Sequence, residues 1–174
     1  MDAYRELVRR FEPMVFGTCL RMIQNQEDAE EVCQDAFLQV FHKIGQFEGR
    51  SSFKTWLFRI VFNLSVRRRE NIAKRAHREI KVAGEIAKHS DHFVPPEGAA
   101  GQISLGAEVE EALSRLDGNE QRVLILKFVS GLSLQEIADV FEVGLSAAKM
   151  RTYRALESFR DAYQEATARK GGPR

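Results

Sequence analysis

The chain has 174 residues, with 26 basic and 25 acidic side chains and a formal net charge of +1. That length suits one ordinary domain or two small ones, and the balanced total does not by itself mark a polyanion-binding protein. No apolar run approaches the about 20 residues of a membrane span, and no charged-then-apolar leader precedes Met1-Asp2-Ala3-Tyr4, so a cytoplasmic protein with no direct membrane insertion is expected.

Hydrophobic periodicity is helical nearly throughout, with no strand-like alternation. Leu7, Phe11, Met14, Val15 and Leu20 predict a first helix, kinked or restarted at Pro13. Asn25 can cap a second helix, with Asp28 in its first turn. Ala29, Val32, Cys33, Ala36, Phe37, Val40, Phe41 and Ile44 give that helix one apolar face, and Gly45 is its expected stop. Cys19 and Cys33, the only cysteines, sit in apolar periodic surroundings and read as reduced core thiols. After the loop "QFEGRSS", Ser51 or Ser52 caps a third helix buried through Phe53, Trp56, Leu57, Ile60, Val61 and Leu64. Beyond Leu64 the pattern thins into the charged, helical "RRRENIAKRAHREIK".

The stretch "FVPPEGAAGQISLG", residues 93 to 106, has two prolines, three glycines and little apolar content, and reads as an interdomain linker. Val109, Ala112, Leu113 and Leu116 then predict a short helix closed by "DGN". Val123, Leu124, Leu126 and Val129 predict another, ended by Gly131. Ser133 and Glu136 form an S-x-x-E capping box that opens the next helix, with Ile137, Ala138 and Phe141 on one face. Glu142-Val143-Gly144 interrupts it, and the following helix carries Lys149, Arg151 and Arg154. The expected fold is all-α: two small helical domains, residues 1–92 and 106–168, joined by a flexible linker at 93–105, with a polar tail at 169–174. A domain of about 60 residues is marginally stable alone.

Charge is unevenly placed despite the neutral total. Residues 27–35 contain Glu27, Asp28, Glu30, Glu31 and Asp35 and no base, whereas residues 50–81 contain ten basic residues against Glu70 and Glu79. The first block suits a cation-bearing partner and the second an anionic polymer. The paired helices around Glu142 form a helix-turn-helix, whose second helix can enter the major groove of DNA while the first braces across the backbone. A short turn keeps the reading helix from swinging. Lys149, Arg151 and Arg154 can serve phosphates or purine edges, and Tyr153 adds an apolar face.

Two blocks carry a resemblance to a known family. "DAEEVCQDAFLQVF" followed by "FEGRSSFKTWLFRIVFNLSVRRR" is similar to the acidic helix and promoter-melting segment of extracytoplasmic-function (ECF) sigma factors of bacterial RNA polymerase. "ALSRLDGNEQRVLILKFVSGLSLQEIADVFEVGLSAAKMRTYRAL" is similar to the family's carboxy-terminal DNA-binding domain. The resemblance implies a region-two domain, a region-four domain and a promoter-specificity role with core RNA polymerase and promoter DNA as partners. It implies polymerase contact at Asp28, Glu31, Gln34, Asp35 and Phe37. It implies minus-ten element contact at Phe47, Gly49, Arg50, Ser51, Ser52, Arg59, Asn63 and Arg67, with Trp56 read as core. Minus-thirty-five element contact falls to Lys149, Met150, Arg151, Tyr153 and Arg154. An anti-sigma factor is the implied regulator. Ala147 and Ala148 stand where the family has threonine and valine, Met150 where a small polar residue is common, and Glu142 where glycine is common in the turn.

Opening about ten base pairs costs on the order of 14 kcal/mol, and capturing two or three unstacked bases returns about 1–3 kcal/mol each. With no phosphate-binding G-x-x-x-x-G-K-[ST] loop and no nucleophile motif, the reading is a non-enzyme without cofactors that biases where the polymerase opens DNA. His89 and His92 in "HSDH" form a weak metal-ligand candidate, read as part of the segment before the linker. The rival reading is a stand-alone helix-turn-helix transcriptional regulator, which would have no use for the acidic helix.

Overall fold

A computed structural model describes residues 2–83 and 106–170. The linker at 93–105, His89, His92 and the last four residues lie outside the described residues. Three helices form the amino-terminal group: α1 (Asp2–Ile23), α2 (Gln26–Lys43) and α3 (Phe53–Ala83). Four form the carboxy-terminal group: α4 (Ala107–Ser114), α5 (Gly118–Leu124), α6 (Leu134–Phe141) and α7 (Leu145–Lys170). The last helix thus runs two residues into the expected tail.

Helix α1 is one uninterrupted helix rather than two. Pro13 cannot donate to the carbonyl of Arg9, but it sits on the exposed face, where solvent can take that acceptor. Asn25 caps α2 as its sequence requires, its side-chain oxygen accepting from the Asp28 N–H at 2.9 Å. Ser52 caps α3 by accepting from the Thr55 N–H at 3.0 Å. Tyr4 fastens the start of α1 to α2 by donating to the Phe37 carbonyl at 2.7 Å.

In the second group, "DGN" does more than end α4. Asp117 is the N-cap of α5, and with Glu120 it forms a reciprocal capping box. The helix then widens into one π turn, Ile125–Val129, in which the Ser130 N–H reaches back to the Ile125 carbonyl. Gly131 follows with φ +59°, a conformation that suits glycine. Ser133 and Glu136 form the expected box at α6. Glu142 adopts the left-handed region with φ +55°, the conformation that explains why glycine is favoured in this turn.

The two groups share a core. Val15, Leu20, Val40, Leu57, Phe58 and Val61 from the first are continuous with Leu126, Leu132, Ile137 and Val140 from the second. A smaller cluster of Leu116, Val123, Leu124 and Ala155 lies between α4, α5 and α7. Cys19 and Cys33 are free and buried. Burial pushes Cys19 up to about 12, with Cys33 adding to the shift, and burial pushes Cys33 to about 11. Both are therefore inert thiols at neutral pH.

Leu126 is fully buried where the two groups meet. Leu126→Ala should lower the free energy of unfolding by about 2–5 kcal/mol, read as a shift in the urea midpoint without a change in slope.

Candidate polymerase and promoter surfaces

Helix α2 keeps its apolar face inward and offers Glu27, Glu30, Glu31, Gln34 and Asp35 outward. This face is not a bare anion. Arg68 reaches across from α3 and pairs with both Asp28, at 3.1 Å, and Glu31. Its neighbour Arg69 donates to the Met22 carbonyl at 3.1 Å. Two cations of the "RRR" run are thus spent on holding α3 against α1 and α2, and only Arg67 of the three is fully exposed. The basic block is weaker towards an anionic partner than its sequence suggests. Phe37 also departs from expectation. Its side chain is buried, so it supports the acidic face without being able to touch a partner. The exposed apolar residues of this helix are Leu38 and Phe41.

The loop after α2 is held by an aromatic cluster. Phe47 lies 5.3 Å from Trp56 and 5.9 Å from Phe53, and Phe11 closes on Phe53 at 5.5 Å, all between ring centroids. Phe47 and Trp56 are both half-buried in it. Their packing anchors the loop and leaves Gly49 and Arg50 exposed beyond it. Gly49 has φ +69°, which turns the chain there. Arg50 pairs with Glu48 at 2.6 Å on the surface. On α3, Arg59, Asn63 and Arg67 recur at four-residue steps and so share one face of the helix. Asn63 and Arg67 are exposed.

Ser52 and Arg59 are already engaged by the carboxy-terminal group. The hydroxyls of Ser52 and Thr55 reach Glu136 Oε1 at 3.1 and 3.0 Å. Arg59 donates from Nε and Nη2 to the Asp139 carbonyl, at 3.2 and 2.5 Å, and lies 3.6 Å from the Glu142 carboxylate. A guanidinium there faces the negative end of α6. Lys54 donates to the Gly131 carbonyl at 2.9 Å. These contacts link residues about 80 positions apart, so periodicity within each helix gave no signal of them.

Helix α7 separates its two faces cleanly. Ala148, Thr152, Ala155, Ala162 and Ala166 are buried, small residues that let α7 approach its neighbours closely. Thr152 satisfies its hydroxyl on the Ala148 carbonyl at 2.9 Å. Lys149, Met150, Arg151, Tyr153 and Arg154 all face out, with Met150 and Tyr153 more than half exposed. Arg151 lies over the Phe141 ring of α6 at 5.7 Å, a contact that holds the reading helix against its brace. An exposed row of cations and apolar side chains on one helix face, set on a rigid two-helix unit, fits a major groove.

Residues 7–75 match the family described as Sigma-70 region 2, and residues 106–159 match Sigma-70, region 4. The chain belongs to the ECF sigma factors. It is 28% identical over 164 residues to the ECF RNA polymerase sigma factor SigW of Bacillus subtilis, covering 91% of this chain and 88% of that protein. It is also 28% identical over 170 residues to the RNA polymerase sigma-H factor of Pseudomonas aeruginosa, covering 93% and 86%. In fold, this sigma factor superposes on RpoE from Bartonella quintana, solved in complex with the anti-sigma factor NepR, with a TM-score of 0.71, 22% identity, and coverage of 94% of this chain and 98% of that one. Among the described residues no helix is long and apolar enough to cross a membrane.

Burial acts to raise the Glu136 carboxyl, but hydrogen bonds from Ser133, Thr55 and Ser52 outweigh it and hold the group below its ordinary value. A carboxyl lowered in the folded state adds stability that is complete above its unfolded value of about 4.3. That stability is lost as pH falls through the folded value. Urea midpoints of the wild type and Glu136→Gln, compared from pH 7 downwards, should therefore draw together only once the pH falls below the unfolded value of about 4.3.

Proposed function

We propose that the acidic face of α2 docks this sigma factor on core RNA polymerase, while α3 with its preceding loop and the outer face of α7 hold the two promoter elements. The observation that carries this reading is the pairing of two spatially distinct DNA-suited faces with one acidic face on a single chain. A stand-alone regulator would use only the first kind. The promoter-specificity role follows from membership of the family. The protein supplies recognition, and the polymerase supplies the chemistry.

Within the acidic face, Gln34 and Asp35 are the residues best placed to meet a basic coiled coil of the polymerase. Asp28 and Glu31 keep one side towards Arg68, so they shape the face as well as charge it. Leu38 and Phe41 extend it with apolar surface. Asn63 has the donor and acceptor set for a base edge, Arg67 and Arg50 suit phosphates, and Gly49 with Ser51 lets the loop approach the strand. Arg59 and Ser52 complete this minus-ten set. Phe47 serves by fixing the loop. On α7, Lys149 and Arg154 suit phosphate or guanine contacts, Met150 suits a thymine methyl, and Tyr153 packs beside the backbone. The working compartment is the cytoplasm, where polymerase acts, and an anti-sigma factor is the expected regulator, since solved relatives of this fold carry one.

Run-off transcription with purified core polymerase on a library of promoter fragments tests the role, and specific initiation dependent on this chain is the expected result. Asp35→Lys should abolish binding to core while leaving binding of the chain to duplex promoter DNA unchanged. Arg154→Ala should weaken minus-thirty-five binding by about 1–3 kcal/mol and relax sequence preference if it reads a base. A uniform loss across sequences, with a salt slope lower by about one, would assign it to a phosphate instead.

A further inference from the structure

We propose that the exposed end of α3, through Lys74 and Arg78 in line with Arg67, grips the phosphates of the paired DNA between the two promoter elements. The proposal rests on the minus-ten role given above to Asn63 and Arg67, and it extends that face from opened bases to closed duplex.

Among the described residues, Ile72 is the last side chain of α3 that packs on the core. Beyond it the helix runs on to Ala83, and Ala73, Lys74, Arg75, His77 and Arg78 are all exposed. A helix end that buries almost nothing gains little from the bundle. Composition keeps it helical, since alanine, lysine and arginine are strong helix formers. Its charge is sorted rather than scattered. Asn63, Arg67, Asn71, Lys74 and Arg78 follow one another at steps of three and four residues, so they share one row, and each is exposed. No acid falls in that row. Glu70 stands at its margin, and among the described residues no carboxylate pairs with Arg67, Lys74 or Arg78. Arg78 Nε donates to the Lys74 carbonyl at 3.2 Å, which lays the guanidinium back along the row and leaves its Nη groups for a partner. Arg68 and Arg69, by contrast, point off the row and are spent on α2 and α1. A surface that merely keeps a protein in solution mixes both signs. A row of one sign, continuous with a face suited to DNA, is complementary to a polyanion.

Chain order says which DNA. Helix α3 runs from the loop that meets the opened strand towards the segment leading to the domain that bears α7. Its far end therefore lies on the minus-thirty-five side of the minus-ten element, where the strands are still paired. Arg67 to Arg78 spans about 16 Å at roughly 1.5 Å per residue, or about five base pairs at roughly 3.4 Å each. Contacts between cations and phosphates fix register without carrying sequence information. The row thus holds the spacer beside the point where opening starts and adds nothing to the promoter code.

The test uses holoenzyme assembled from the full-length chain and purified core, on a duplex promoter fragment selected by the wild type in run-off transcription. Lys74→Ala/Arg78→Ala leaves both promoter-reading sets intact, and alanine keeps the helix. It should bind about tenfold more weakly at ~0.1 M salt, with a salt slope lower by about two and an unchanged ranking of promoter sequences. Lys74→Arg/Arg78→Lys should bind like the wild type, because a phosphate asks only for the charge. Neutral methylphosphonate linkages in the spacer beside the minus-ten element should bring the wild type down to the alanine variant and leave that variant unaffected. An unchanged salt slope, or equal sensitivity of both proteins to the neutral linkages, overturns the proposal. Loss of core binding also overturns it, by assigning the row to the polymerase, as does a loss confined to a single-stranded minus-ten oligonucleotide. A wild type that initiates on no fragment overturns the sigma reading itself and this proposal with it, a result seen before any variant is compared.

Discussion

Helix α3 has to satisfy three neighbours at once, and the rest of the molecule is arranged around that demand. Its apolar stripe of Leu57, Phe58 and Val61 is buried against α1 and α2. Farther along, Arg68 and Arg69 reach back to the acidic helix and to the end of α1. Its opposite edge receives α6 through Thr55 and Arg59, and the turn before α6 through Lys54. Few residues of the segment are left over for a nucleic acid, and those that are fall on the single row of Asn63 and Arg67 with the loop before it.

The same economy explains the electrostatics. A half-buried guanidinium between two carboxylates is costly to leave unpaired, so Arg68 is fixed by its partners as firmly as they are by it. The acidic helix consequently presents its open charge at Asp35 and its neighbours rather than along its whole length. Charges counted from sequence overstate both surfaces, because Arg68 is withdrawn from the positive one and offsets Asp28 and Glu31 on the negative one.

Much of the architecture was legible in the chain. The Ser133–Glu136 box, the Asn25 cap and the three- and four-residue spacing of apolar residues each rest on contacts within a few positions, which periodicity captures. The charged outer face of α7 was equally plain in the row of Lys149, Arg151 and Arg154. What could not be read were contacts that cross the molecule. Nothing near Arg68 says that it points inward while Arg67 points out. Phe37 and Leu38 are both apolar, and only the angle of α2 in its bundle decides which is buried. The hydroxyls that gather at Glu136 come from two domains and carry no spacing in common. Pro13 does not restart the helix, because the hydrogen bond it cannot donate lies on the exposed face, where solvent can take the Arg9 carbonyl.

Helix α7 joins recognition to construction in one continuous rod of 26 residues, about 39 Å at 1.5 Å per residue. Its far end is moored by Arg115 to Glu165 at 2.8 Å, and its middle by Ser158 to Glu120 at 2.7 Å. The rod therefore acts as a lever whose pitch in the groove is set from behind. Changes at the mooring alter how the front end meets a promoter while every base-facing side chain stays the same, which gives this scaffold a way to drift in preference without rewriting its code.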